Sequence, residues 1–133
     1  MKKILIDTDI LIDFLRGKEG AKNYLSELSE DSPLYCSVIT IAEIHAGMRK
    51  IEEEKTTALL DSLFAIPITE EIAQIAGRFK RETKAHDLEL DDCLIAATAS
   101  VEKAILATKN SKHYPMKNIK IETPDYFYAK QHK

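Results

Sequence analysis

The chain has 133 residues, 44% of them apolar and 31% charged, with a formal net charge of −3. That length fits one compact domain able to bury roughly two-thirds of its unfolded surface, and four glycines and four prolines exclude a low-complexity chain. No run approaches the ~20 apolar residues of a membrane helix, and the acidic balance lacks the basic excess by which nucleic-acid binders usually declare themselves, although a local basic patch can sit on an acidic protein.

The apolar run after Lys2 and Lys3 is interrupted by Asp7 and Asp9, which argues against a signal peptide. Cys36 and Cys93 stand far apart in apolar contexts, with neither a CxxC pair nor a zinc pattern. Two buried thiols in a reducing cytoplasm are the expectation, with no membrane association.

Residues 3–6 read as a short buried strand. Ile10, Leu11, Phe14 and Leu15 follow at helical spacing up to Gly17, so Asp7 and Asp9 fall in a strand-to-helix turn, with Asp9 as a candidate N-cap. Residues 21–28 suit an amphipathic helix, "DSP" breaks it, and "LYCSV" reads as a second strand. Helical spacing returns over 40–48 and again over 52–65. "AIPI" reads as a strand, and Thr69 caps a helix running to about Arg81. A helix rich in small residues covers 91–100. "AILAT" is a strand, "KNSKHY" a loop and "IKIET" a last strand before Pro124, with the tail 125–133 partly disordered. Short apolar strands alternating with helices predict an α/β fold with a parallel sheet covered on both faces. Sites in such sheets lie beyond the carboxyl ends of the strands, where Asp7 falls.

Three acids interrupt apolar elements. Asp7 closes the first strand. Glu43 lies in "VITIAEIHAGM", with Ile39, Thr40, Ala46 and Gly47 as its helical neighbours. Asp92 opens the helix in "ELDDCLIAATAS" and shares a stripe with Ile95, Ala96 and Ala99, the small side. Each has a plainer explanation: a glutamate with its head in water, or acids complementing the positive end of a helix. Buried together, the three would repel one another unless a cation neutralised them, and hard divalent ions take such oxygen ligands. An acidic cluster holding Mg²⁺ can activate water and steady a leaving oxygen.

The segments "ILIDTDILIDFLRG", "SVITIAEIHAGM", "LDDCLIAATA" and "LATKNSKHY" together resemble PIN-domain ribonucleases in order and spacing, from Lys3 to about Pro124. The resemblance is strongest to the VapC toxins of VapBC toxin–antitoxin modules. It implies a single PIN domain over 1–133, a three-layer sandwich with a short-stranded parallel sheet flanked by helices. By position, Asp7, Glu43 and Asp92 match the family's catalytic acids, with Asp7 and Asp92 holding Mg²⁺ or Mn²⁺ and Glu43 ligating it or placing the water. Thr8, Asp9 and Thr108 match supporting positions. Asn110 stands where many members carry a fourth acid, which removes one charge, while Asp9 can return some of it. The implied activity is endonucleolytic cleavage of RNA. The implied partners are a VapB-type antitoxin, operator DNA only through that antitoxin, and a second copy in a homodimer.

Other residues carry modest expectations. Lys109, Lys112 and His113 are the better candidates for a phosphate-tracking rim, with Arg16, Arg49, Lys80, Arg81 and Lys84 more remote. His45 and His86 read as structural or surface residues. Asp13 and Arg16 suggest a local helix pair, and Tyr126, Phe127 and Tyr128 are placed to stack on bases or pack a dimer. Two other functions stay open: an aspartyl-phosphate phosphatase of the HAD type, which also begins with a strand ending in Asp-x-Asp, and a PIN-like module that binds RNA or protein without cutting.

Overall fold

The structure, a computed structural model, describes residues 2–84 and 88–126. The chain runs β1 (Ile4–Ile6), α1 (Thr8–Leu15), α2 (Glu19–Asp31), β2 (Leu34–Ser37), α3 (Val38–Gly47), α4 (Glu53–Asp61), β3 (Phe64–Ile66), α5 (Glu70–Glu82), α6 (Leu90–Glu102), β4 (Ile105–Ala107) and β5 (Lys120–Glu122). Single 3₁₀ turns at Lys50–Glu52 and Ser111–His113 precede α4 and follow β4.

All five strands are parallel, in the order β3-β2-β1-β4-β5. The chain builds outward from β1 in one direction through β2 and β3, then crosses back to add β4 and β5 on the other side. The reversal leaves a crevice between the carboxyl ends of β1 and β4. Residue alternation along β1 sorts the core into two layers. Leu5 and Leu106 face α5 and α6 together with Ile72, Phe79, Ile95 and Ala96. Ile4, Ile6 and Ala107 face the other way, onto Ile10 and Leu11 of α1, Leu25 of α2, Ile44 of α3 and Leu59 of α4. This is the expected three-layer sandwich. The small residues Cys93, Ala96, Ala97 and Ala99 of α6 are fully buried, which lets the helix lie close on the sheet. Both cysteines are buried free thiols, as expected, and burial pushes the Cys36 thiol up to about 11.

Several element boundaries depart from the pattern: α3 begins at Val38, which the spacing put in a strand, and β3 ends at Ile66, before Pro67. The helix expected over 52–65 ends at Asp61, because Phe64 and Ala65 pair with Tyr35 and Cys36 as the edge strand. A helical run of apolar residues lost its last turn to a sheet edge that only tertiary pairing supplies. The cap of α1 is Asp7, whose carboxylate accepts from the Thr8 N–H at 2.8 Å, and Asp9 sits inside the first turn. Only the cap residue separates β1 from α1, and it stands two residues earlier than the apolar spacing suggests. Gly17, at φ 79°, ends α1 in the left-handed conformation. Of the expected loose tail, Asp125 is exposed and Tyr126 half-buried, and 127–133 lies outside the described residues, as does His86.

Candidate active site

Strand register builds the site. Ile6 pairs with Ala107, and the Asp7 N–H continues the ladder by donating to the Ala107 carbonyl at 2.9 Å. Asp7 and Thr108 are therefore neighbours at the carboxyl ends of adjacent strands. The Thr108 hydroxyl donates to Asp7 Oδ2 at 2.7 Å and accepts from the Asn110 N–H at 3.1 Å. The Tyr114 hydroxyl donates to the same Asp7 oxygen at 2.9 Å. Asp7 is 6% exposed. Burial drives its pKa up, and the bonds from Thr108, Tyr114 and the Thr8 N–H offset only part of that.

Asp9 looks into the same crevice from α1. Its Oδ2 accepts from the Lys109 N–H at 3.1 Å and from the Asn110 side-chain amide at 3.3 Å. Its Oδ1 is buried without a hydrogen-bond partner. Burial, and then the charge of Asp7, push its carboxyl up to about 7. The amide of Asn110 thus donates to an acid where a carboxylate would repel it.

Glu43 reaches the site from α3, which starts where β2 stops. Ser37 caps α3 through the Ile39 N–H, so the helix begins level with the strand ends. The Thr8 hydroxyl donates to Glu43 Oε1 at 2.6 Å and lies 3.0 Å from the buried Thr40 hydroxyl. Burial raises the Glu43 pKa. Thr8 opposes this, and the charges of Asp91, Asp7 and Asp92 reinforce it. Asp92 stands in the first turn of α6. It forms a reciprocal cap with Glu89, whose N–H lies 3.4 Å from Asp92 Oδ2. Burial raises its pKa, the Glu89 N–H and His113 lower it, and Asp7 raises it again.

The charges of Asp7 and Asp92 thus act on Glu43, that of Asp7 acts on Asp9 and Asp92, and that of Lys109 opposes the rise at Asp9. The charge of Asp91, the neighbour of Asp92 in α6, also acts on Glu43. Among the described residues, no three His, Cys, Asp or Glu side chains already stand in metal-holding array. Glu43 and Asp92 are instead held by the hydrogen bonds just given.

Several expectations change. Asp13 pairs with Lys18 and Lys109 rather than with Arg16. Lys109 sends its ammonium to Asp13, 2.6 Å away, so it is an internal strut rather than a free rim cation. Tyr126 donates its hydroxyl to Asp13 at 2.8 Å. Arg16 and Arg49 line a groove of about 550 Å³ beside Glu43, together with Ile12, Leu15 and Met48. Tyr114 and Thr40 escaped sequence reasoning. Tyr114 sits in an irregular loop where no periodicity marks a buried side chain, although its place directly after "KNSKH" ties it to the β4 turn.

A model of the PIN domain family matches residues 4–119. The ribonuclease VapC10 of Mycobacterium tuberculosis is 44% identical over 85% of this chain and 86% of that protein. The chain belongs to the PIN-domain family, among the VapC ribonucleases. Among solved structures, a toxin–antitoxin complex from Klebsiella pneumoniae superposes on this PIN domain with a TM-score of 0.75 at 32% identity, covering 92% of this chain and 98% of that one. VapBC2 of Rickettsia felis, solved with a DNA fragment from its promoter, gives 0.79 at 25% identity, over 90% and 97% of the two chains. The family match sets aside the phosphatase reading. Among the described residues, no helix is long and apolar enough to cross a membrane.

Proposed function

We propose that this PIN domain is the toxin of a VapBC-type module, an endoribonuclease that hydrolyses RNA phosphodiesters with a divalent cation, Mg²⁺ or Mn²⁺, at the acid cluster. The observation that carries this reading is that Asp7, at the carboxyl end of β1, raises the proton affinity of Asp9, Glu43 and Asp92, while Asp91 and Asp92 raise that of Glu43 as well. A folded chain keeps such mutual repulsion at a site when a cation relieves it in use.

The donor set fits a hard divalent ion. It is made of carboxylate oxygens, one of which, Asp9 Oδ1, is buried and unbonded. Asp7 and Asp92 would hold the ion, with Asp9 supplying the charge that Asn110 lacks. A bound ion supplies charge neutralisation and lowers the pKa of a coordinated water. Thr108 and Tyr114 fix Asp7 Oδ2, and Oδ1 accepts the Thr8 N–H. Glu43, its pKa raised by burial and by three neighbouring acids, is suited to take the proton from the attacking water. Thr8 aims it by donating to one oxygen and leaving the other free. The water oxygen attacks phosphorus, the P–O bond to the departing sugar breaks, and the proton held on Glu43 can return to the leaving oxygen.

The groove beside Glu43, apolar at Ile12, Leu15 and Met48 and basic at Arg16 and Arg49, is suited to a VapB-type antitoxin segment that closes the crevice. Contact with operator DNA would then run through the antitoxin, with the toxin as a homodimer. Both structural neighbours described above belong to toxin–antitoxin systems.

The deciding experiment incubates the purified chain with RNA and Mg²⁺ or Mn²⁺. Cleavage that chelator abolishes, and that Asp7→Asn and Asp92→Asn each reduce by at least about a hundredfold without unfolding the chain, supports the assignment. Cleavage at the original rate by both variants would falsify it. Retention of RNA without products across several cations would favour the non-cutting module.

A further inference from the structure

Lys109 touches α1 at two levels. Its backbone N–H donates to Asp9 at 3.1 Å, and its ammonium lies 2.6 Å from Asp13 Oδ2. Asp9 and Asp13 are one turn apart on the same helix face. Asp13 is 4% exposed, and both its oxygens are engaged: Oδ2 also accepts the Tyr126 hydroxyl at 2.8 Å, and Oδ1 meets Lys18 Nζ at 3.1 Å. No step of the chemistry proposed above uses Asp13. An acid this buried, with three donors on it, is a device for fixing its partners, and one of the groups it fixes is the Lys109 ammonium.

The backbone bond pins Lys109 beside Asp9, so its side chain has two acidic destinations. One is Asp13. The other is the cluster itself, where Asp9 Oδ1 is buried and unbonded. Lysine carries a compact charge on a flexible four-carbon stem. An ammonium released from Asp13 would fall onto the acids that a divalent cation needs.

We propose that Asp13 is a positioning residue that holds the Lys109 ammonium off the acid cluster and thereby keeps Asp7 and Asp9 open to a divalent cation. This rests on the reading of the cluster as a cation site. The apparent cation affinity falls in proportion to the fraction of molecules in which the site is open. A site blocked nine-tenths of the time binds about tenfold more weakly.

The test is Mn²⁺ binding to the full chain by titration calorimetry near neutral pH, without RNA, so that cleavage plays no part. Asp13→Asn is expected to weaken Mn²⁺ binding about tenfold, and adding Lys109→Met to it is expected to restore binding to within about twofold of wild type. A merely structural role for Asp13 would not be repaired by removing a second side chain of the same cluster. Asp13→Asn with unchanged affinity, or a double variant as weak as the single one, overturns the proposal. Lys109→Met alone guards against an Asp13→Asn chain that does not fold. It should bind Mn²⁺ as tightly as wild type or more tightly, and a clear loss would show that the ammonium supports the site instead of threatening it. Asp7→Asn separates the two levels. If wild-type binding is absent or unaffected by that change, the cation-site reading fails and takes this inference with it. If Asp7→Asn abolishes binding while the Asp13 and Lys109 variants behave alike, only the role of Asp13 fails.

Discussion

The Tyr114 hydroxyl donates to Asp7 Oδ2 across 2.9 Å, from a side chain 3% exposed, and so a loop residue completes the bonding of the acid that ends β1. The partnership acts in both directions. Burial and then the charge of Asp7 hold the Tyr114 phenol far above its ordinary range, so it remains a donor at any pH the protein meets. Tyr114→Phe removes that donor and keeps the ring. A charge-assisted hydrogen bond to a buried acid is worth about 1.5–3 kcal/mol. Stability at pH 8, read from urea unfolding, should fall by about that amount, and the acid limb of the cleavage profile should move to higher pH. An unmoved limb would show that Thr108 and the Thr8 N–H suffice for Asp7.

Asp9 predicts how pH acts on the cation-free chain. Its carboxyl titrates at about 7 in the fold, through burial and then Asp7, against about 3.9 in an unfolded chain. Between those values the folded state keeps a proton that the unfolded state has lost. This contribution is fully present below about pH 4 and is lost as pH rises through about 7. The urea midpoint without divalent cation should therefore decline from pH 5 to pH 8, and Asp9→Asn should flatten the decline. Mg²⁺ should stabilise the wild type more at pH 8 than at pH 5, because it binds the ionised folded state. Equal stabilisation at both values would place the ion elsewhere.

Asp13 predicts the opposite dependence, in a lower window. Burial raises its pKa, but the bonds from Lys109, Tyr126 and Lys18 outweigh that and hold it below the usual carboxylate value. Its stabilisation is present above about pH 4 and disappears as pH falls through the folded pKa. Asp13→Asn should cost about 2 kcal/mol at pH 7, and the two chains should converge on acidification below pH 4. Parallel stability curves down to pH 3 would contradict the role given to its charge.

Gly20 tests the packing of the last described turn. A Cβ built there would lie 2.6 Å from Tyr126 Cβ, closer than packed atoms approach. Replacing a helical glycine by alanine usually stabilises by about 1 kcal/mol. Here Gly20→Ala should destabilise, because it lifts Tyr126 from Asp13 and from Tyr24, whose ring lies 6.4 Å from that of Tyr126. In a Tyr126→Ala background the same change should become stabilising. Loss of stability in both backgrounds would point to strain within α2.

Much of this protein is legible in one dimension because its determinants are local. The continuous Ile4–Ile6 run, the Thr69 cap and the small residues of α6 each act within a few positions, so the strand–helix alternation and the parallel sheet follow from spacing. Asp7, Glu43 and Asp92 stand out for a related reason: an ionisable group inside an apolar element is costly wherever it lands. The partners of those acids are not local. Thr108 and Tyr114 meet Asp7 from more than a hundred residues away because β4 is laid beside β1, and Lys109 meets Asp13 through the same register. Asp91 joins the site because of where α6 leans against α3, and Phe64 leaves a helix for a strand because β2 has a free edge. Spacing along the chain determines which residues need a partner, and strand pairing and helix packing alone decide which distant atoms provide it.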